Sequence, residues 1–113
     1  MGSIKLIDTN TLRIWIATGK EVSILDIRPI KERLYSLIPG SIHVDVYDKL
    51  KQHDPSAFDD LHLDRSIPVV TFCAGGNTSL IAAEMLVQKG YNALSLEGGI
   101  TKWDQQKNGD GAN

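Results

Sequence analysis

The residue types and spacing that could do chemistry fall in one stretch, Pro68-Val69-Val70-Thr71-Phe72-Cys73-Ala74-Gly75-Gly76-Asn77-Thr78-Ser79. β-Favouring residues lead into the only cysteine of the chain. Two glycines, an asparagine and two hydroxyl residues follow, and then an apolar run from Leu80 to Val87 before Gly90. This is the pattern of strand, tight loop and helix, with the thiol at the end of the strand. Backbone N–H groups in such a loop can turn inward as an anion-binding nest, and a helix N-terminus adds roughly half a positive charge at the same point. A thiol held there is readily ionised and nucleophilic. A lone cysteine is more often a piece of core. A core cysteine, however, needs no glycine pair behind it, whereas amides that must converge on one sulfur need residues free in φ.

Other polar residues offer less. Arg28 could meet an anionic substrate, but Glu32 four residues later predicts a structural ion pair. Asp26 fits the anchoring of loop backbone better than acid/base work. Asn77, Thr78 and Ser79 can hydrogen-bond substrate oxygens or cap the helix, capping being the expectation for Ser79. His43, His53 and His62 have no metal-ligand spacing and no second cysteine joins them, so neither a metal nor a cofactor is expected. Trp15 and Trp103 read as core.

The positioning elements can be read from patterning. Asp8 or Thr9 can cap a helix that runs through Thr18 to a stop at Gly19, with Leu12, Trp15 and Ile16 on one face. Glu21 to Ile27 reads as a strand closed by Pro29. Ile30 to Leu37 has helical character with Ile30, Leu34 and Leu37 on one side. Ile38-Pro39-Gly40-Ser41 is a turn and Ile42 to Val44 a short extended piece. Residues 45–66 are mixed, with a helix near Tyr47 to Lys51. After the cysteine loop and its helix, Asn92 to Leu96 is a strand, and Ile100 to Lys107 a closing helix. Residues 108–113 read as a disordered tail. Strands alternating with helices predict a three-layer α/β/α fold with a mainly parallel central sheet. In such folds ligands sit at the carboxyl ends of strands, where Arg28, Cys73 and Glu97-Gly98-Gly99 all fall.

With 113 residues the expectation is a single domain, and a monomer. Hydrophobic residues make up 42%, charged residues 23%, and the formal charge is −2, which gives no basic surface for nucleic acid. No apolar run approaches the roughly 20 residues that span a bilayer. One cysteine excludes an internal disulfide, and a cytoplasmic setting is expected.

Three separated signals resemble the rhodanese family of single-domain sulfurtransferases. They are Leu25-Asp26-Ile27-Arg28 with Glu32 and Ile38-Pro39-Gly40-Ser41-Ile42-His43, the six-residue loop Cys73 to Thr78, and Leu96-Glu97-Gly98-Gly99 with Trp103. The likeness spans roughly residues 4 to 107. It implies a thiolate on Cys73 that takes a sulfane sulfur from thiosulfate or a small or protein-bound persulfide, and passes it to a thiophilic acceptor. Ala74, Gly75, Gly76, Asn77, Thr78 and Arg28 would then bind substrate. Two departures stand out: Ser36-Leu37 replaces the family's usual Gly-His, and the loop carries no arginine, ending in Thr78 as in thiosulfate and mercaptopyruvate sulfurtransferases. A neutral loop predicts weak binding of dianionic thiosulfate. Two rivals share parts of the pattern. A cysteine-type phosphatase or arsenate reductase would need arginine where Ser79 stands, and a non-catalytic binding module would have no use for intact loop glycines.

Overall fold

The computed structural model describes residues 4–112, with side chains through residue 106. In chain order it contains β1 (Lys5–Ile7), α1 (Thr9–Ala17), β2 (Ser23–Asp26), a 3₁₀ segment (Ile30–Leu34), β3 (Ile42–His43), α2 (Tyr47–Lys51), β4 (Val69–Phe72), α3 (Asn77–Gln88), β5 (Ala93–Leu96) and α4 (Gly99–Ala112). The five strands form one sheet in the order β1-β5-β4-β2-β3, and every pairing is parallel. The mainly parallel sheet expected from the sequence is therefore parallel throughout.

Side-chain alternation along the strands divides the core into two layers. Leu25 and Val69 point to one face, where Leu50 of α2 and Ala82, Ala83 and Leu86 of α3 cover them together with Phe58. Ile24, Val70 and Phe72 point to the other, against Leu12 of α1 and Ile100 and Trp103 of α4. All four residues of β4 are buried, as a strand covered on both faces requires. The chain leaves β4 through α3 toward β5, but leaves β2 on the opposite side toward β3. These connections diverge, so a crevice opens between the carboxyl ends of β2 and β4, the switch point at which parallel sheets bind ligands. Among the described residues no helix is long and apolar enough to cross a membrane.

Three sequence expectations are corrected. Ile4 to Ile7, a short apolar start to which the pattern assigns no element, supplies edge strand β1, whose three residues, with Lys5 and Leu6 exposed and only Ile7 buried, are too few for a readable alternation. Residues 30–37 form only a short 3₁₀ turn, and the supposed packing face of Ile30, Leu34 and Leu37 is exposed. Pro29 sets the start of that turn, and 3₁₀ geometry holds only short runs. The closing helix extends past Lys107 to Ala112. The disorder expected for 108–113 falls on residues whose side chains, and for Asn113 the backbone as well, lie outside those described. The first helix follows its sequence cues, with the Asp8 carboxylate accepting the Thr11 N–H at 2.7 Å as its N-cap.

Candidate active site

Cys73 follows directly on β4, and only 4% of its surface is exposed. Its Sγ accepts the Gly76 N–H at 3.0 Å and the Ser79 N–H at 3.4 Å, and lies 3.5 Å from Ser79 Oγ. Gly76 makes this curl possible. Its φ of +103° is a region that side chains rarely adopt, and a Cβ there would meet Gly98 N at 3.2 Å. Gly75 is different: its φ is not positive and its Cβ position faces open space. Gly76 is thus the loop glycine whose freedom the geometry uses. Among the amides from Ala74 to Thr78, expected to converge on the sulfur as a ring, Gly76 is the one that bonds Sγ. The second amide comes from Ser79, one residue beyond the loop.

The loop is fixed from behind by the start of α4. Ile100 N–H donates to Cys73 O at 2.9 Å, and Thr101 N–H to Ala74 O at 3.1 Å. These bonds turn two carbonyls toward a helix N-terminus and leave the positive end of α3 facing the sulfur. The approach is close. Gly99, at φ +60°, sits so near that a Cβ would lie 2.5 Å from Ala74 O and would also strike Cys73 O. The Glu97-Gly98-Gly99 segment therefore acts as a clamp on the cysteine loop.

A cavity of about 400 Å³ opens over the sulfur, lined by Arg28, Pro29, Glu32, Tyr47, Lys51, Cys73, Ala74, Gly75, Asn77 and Thr78. Six of the seven residues singled out from the sequence thus share one wall, and Gly76 lies beneath it as a buried support. A groove of about 330 Å³ on the outer side of α3 includes His53, Glu84 and Lys89 but not the thiol, so nucleophilic chemistry belongs to the first cavity.

Arg28 forms its ion pair with Asp26, not with Glu32. Its Nε and Nη2 donate to the two Asp26 carboxylate oxygens at 2.9 and 2.7 Å, and Nη2 also reaches Ser36 O at 2.8 Å. The expected i, i+4 pair fails because Pro29 and the 3₁₀ segment separate the two side chains. Asp26 also accepts the Arg28 N–H at 3.1 Å and Arg33 Nη1 at 2.9 Å, and so anchors this loop as anticipated. Complete burial pushes the Asp26 carboxyl up, but the hydrogen bonds and charge of Arg28, with Arg33, outweigh it and hold the group below the usual carboxylate range. Arg28 is 3% exposed, and its fork is spent on Asp26.

One residue escaped the sequence reading, and another has a role different from the one expected. Lys51, the last residue of α2, reaches the cavity with its Nζ 6.0 Å from the Tyr47 ring centroid, and it forms no ion pair among the described residues. The sequence indicated the helix, but nothing local indicates that its end faces Cys73. Ser79 is not a cap: the N-cap of α3 is Gly76, and Ser79 is buried with its hydroxyl toward the sulfur. The periodicity of α3, which turns Ser79 inward with Ala82, Ala83 and Leu86, held that signal.

Comparison with known proteins accords with this geometry. Residues 8–106 match the family described as "Rhodanese-like domain". A protein named "Sulfurtransferase" from Allochromatium vinosum is 32% identical over 99 residues, covering 86% of this chain and 85% of that one. A "tRNA sulfurtransferase" from Desulfurococcus amylolyticus is 35% identical over 80 residues, which is 71% of this chain but only 14% of that longer protein. Among solved structures, a rhodanese-related protein from Thermoplasma volcanium superposes with a TM-score of 0.73 at 29% identity, covering 90% of this chain and 92% of that one.

Proposed function

Because the chain belongs to the rhodanese-like domain family, we propose that it is a sulfurtransferase that carries a sulfane sulfur as a persulfide on Cys73. The observation that carries this reading is the Sγ of Cys73 at the floor of the cavity, accepting hydrogen bonds from Gly76 N–H and Ser79 N–H. Both amides are positioned in advance of reaction and stabilise negative charge on sulfur without a dedicated base.

With thiosulfate as donor, the thiolate attacks the outer sulfur, the S–S bond of the donor breaks, and its electron pair leaves with sulfite. Cys73 then holds a persulfide anion. A nucleophilic acceptor such as cyanide or a thiolate attacks the terminal sulfur, and the electron pair of the enzyme's S–S bond returns to Sγ. The open cavity leaves room for the added atom, while Lys51 supplies a cation for an anionic donor. A persulfide donor, small or protein-borne, carries less charge and meets Glu32 on the same wall with less repulsion. Thiosulfate is thus a competent donor here, and persulfides the better suited ones.

A phosphatase reading is disfavoured by Ser79, which stands where a guanidinium would have to hold the phosphoryl group bidentately. The test is mass spectrometry after incubation with thiosulfate or an organic persulfide. The unmodified protein should gain one sulfur, on Cys73, and form thiocyanate when cyanide is added. Cys73→Ser should keep its fold and do neither. Thiocyanate formation by the serine variant above a blank would refute the mechanism.

A further inference from the structure

Behind the sulfur lies a pair of buried hydroxyls that the two-step reaction does not itself require. Ser79, in the first turn of α3, and Ser95, on β5, are both fully buried, with their oxygens 2.7 Å apart. Ser95 Oγ has no other hydrogen-bond partner among the described residues. Ser79 Oγ has three: Ser95 Oγ, Gly76 O, to which it donates at 3.2 Å, and Cys73 Sγ, whose thiol hydrogen it accepts at 3.5 Å. It has one hydrogen to give. If Ser79 gave it to Ser95, the buried Ser95 hydrogen would be left without an acceptor, which is costly. Ser95 is therefore the donor of the pair, and the Ser79 hydrogen goes to the Gly76 carbonyl while the thiol donates to Ser79; once the thiol hydrogen is gone, the hydroxyl can turn to the sulfur instead.

That choice depends on the charge at Sγ. When Sγ is bonded to a second sulfur, the negative charge lies on the outer atom, and the carbonyl is the better acceptor. When Sγ is a thiolate, the hydroxyl gains a charge-assisted bond by turning to it. We propose that Ser79 is a catalytic donor to the departing Sγ, held in place by Ser95 as a positioning residue, and that the pair accelerates unloading of the persulfide rather than its formation. This deepens the persulfide reading and rests on it. In the unloading step with cyanide, the carbon–sulfur bond of thiocyanate forms as the enzyme's S–S bond breaks, and the electron pair of that bond goes to Sγ. Charge thus develops on the atom that Ser79 can reach, and a preplaced donor there lowers the barrier. In loading, the same atom loses charge, so the hydroxyl gives no help.

Single-turnover measurements separate the two steps. The protein is loaded with thiosulfate, followed by the gain of one sulfur in the mass spectrum, freed of donor, and unloaded with cyanide, followed by thiocyanate. Ser79→Ala removes the hydroxyl but keeps the Ser79 N–H bond to Sγ. It should slow unloading by about tenfold, the size of one hydrogen bond to a charged group, and leave loading within about twofold. Ser95→Ala should slow unloading by a smaller factor, and should add nothing in the Ser79→Ala background, because it acts through Ser79. Equal slowing of both half-reactions by Ser79→Ala, or a Ser95→Ala effect that persists without the Ser79 hydroxyl, would overturn the proposal. Failure of the unmodified protein to gain sulfur would instead refute the persulfide itself, and this inference with it.

Discussion

Substituting Gly99 by alanine tests whether the start of α4 sets the position of the sulfur. The backbone there has φ +60°, which costs an L-residue about 1–2 kcal/mol. The contact is the larger effect. The new Cβ would lie 2.5 Å from Ala74 O, so reaching ordinary contact near 3.4 Å demands a shift of about 0.9 Å. The atoms that must move are the carbonyls that accept Ile100 N–H and Thr101 N–H, and they belong to the cysteine and its neighbour. Sγ therefore moves with them, out of line with Gly76 N–H. A displacement near 1 Å at a reacting centre costs on the order of 100-fold in rate. Gly99→Ala should accordingly form thiocyanate about 100-fold more slowly at saturating thiosulfate and cyanide. Gly98→Ala is the matched control: φ is +76° and the Cβ meets Lys102 Cβ at 2.6 Å, so backbone strain is similar but no loop carbonyl is struck. It should melt lower yet lose far less turnover. Gly75→Ala meets nothing within 4 Å and should stay within about 0.5 kcal/mol of the parent in stability. If Gly99→Ala folds and keeps a third or more of parental turnover, or if Gly98→Ala is equally inactive, the clamp does not position the nucleophile.

Two further outcomes follow from charge. Asp26→Asn leaves the buried guanidinium of Arg28 without its counter-ion, a loss of about 3–5 kcal/mol that should lower the melting temperature by more than about 10 °C. Because the Asp26 carboxyl is held below its unfolded value near 3.9, its contribution is fully present above that value and is lost as pH falls through it toward the lower folded value. The acid limb of stability should therefore flatten in the asparagine variant, and parallel acid profiles for both proteins would refute this assignment. Lys51→Ala should raise the thiosulfate KM about fivefold, the worth of roughly 1 kcal/mol between unit charges at 4 Å in water, and Ala74→Arg should lower it; both effects should shrink with added salt. An unchanged KM in Lys51→Ala would remove that lysine from donor binding.

The sequence alone determined the parts of this protein that depend on neighbours along the chain. Strand β4, the turn after Cys73 and the presence of α3 were legible because β-branched residues, paired glycines and an apolar helix run follow one another without a gap, but the start of α3 was not: the helix begins at Asn77 on Gly76, two residues before the expected cap Ser79. The helix Tyr47–Lys51 was legible for the same reason. So was the anchoring role of Asp26, two residues from the N–H it accepts. Edge strand β1 was not legible, because a three-residue strand with an exposed Leu6 has no periodicity to read. Tertiary structure decided which side chains meet. The Arg28 fork took Asp26 because a proline and a 3₁₀ turn carried Glu32 away, and Lys51 entered the cavity because α2 packs beside α3 under the switch point of the sheet. The Ser79–Ser95 pair joins residues 16 apart, and the α4 clamp joins residues 27 apart, through the parallel pairing of β4 with β5. Local propensity carries no information about a contact that exists only once two strands have been brought into register.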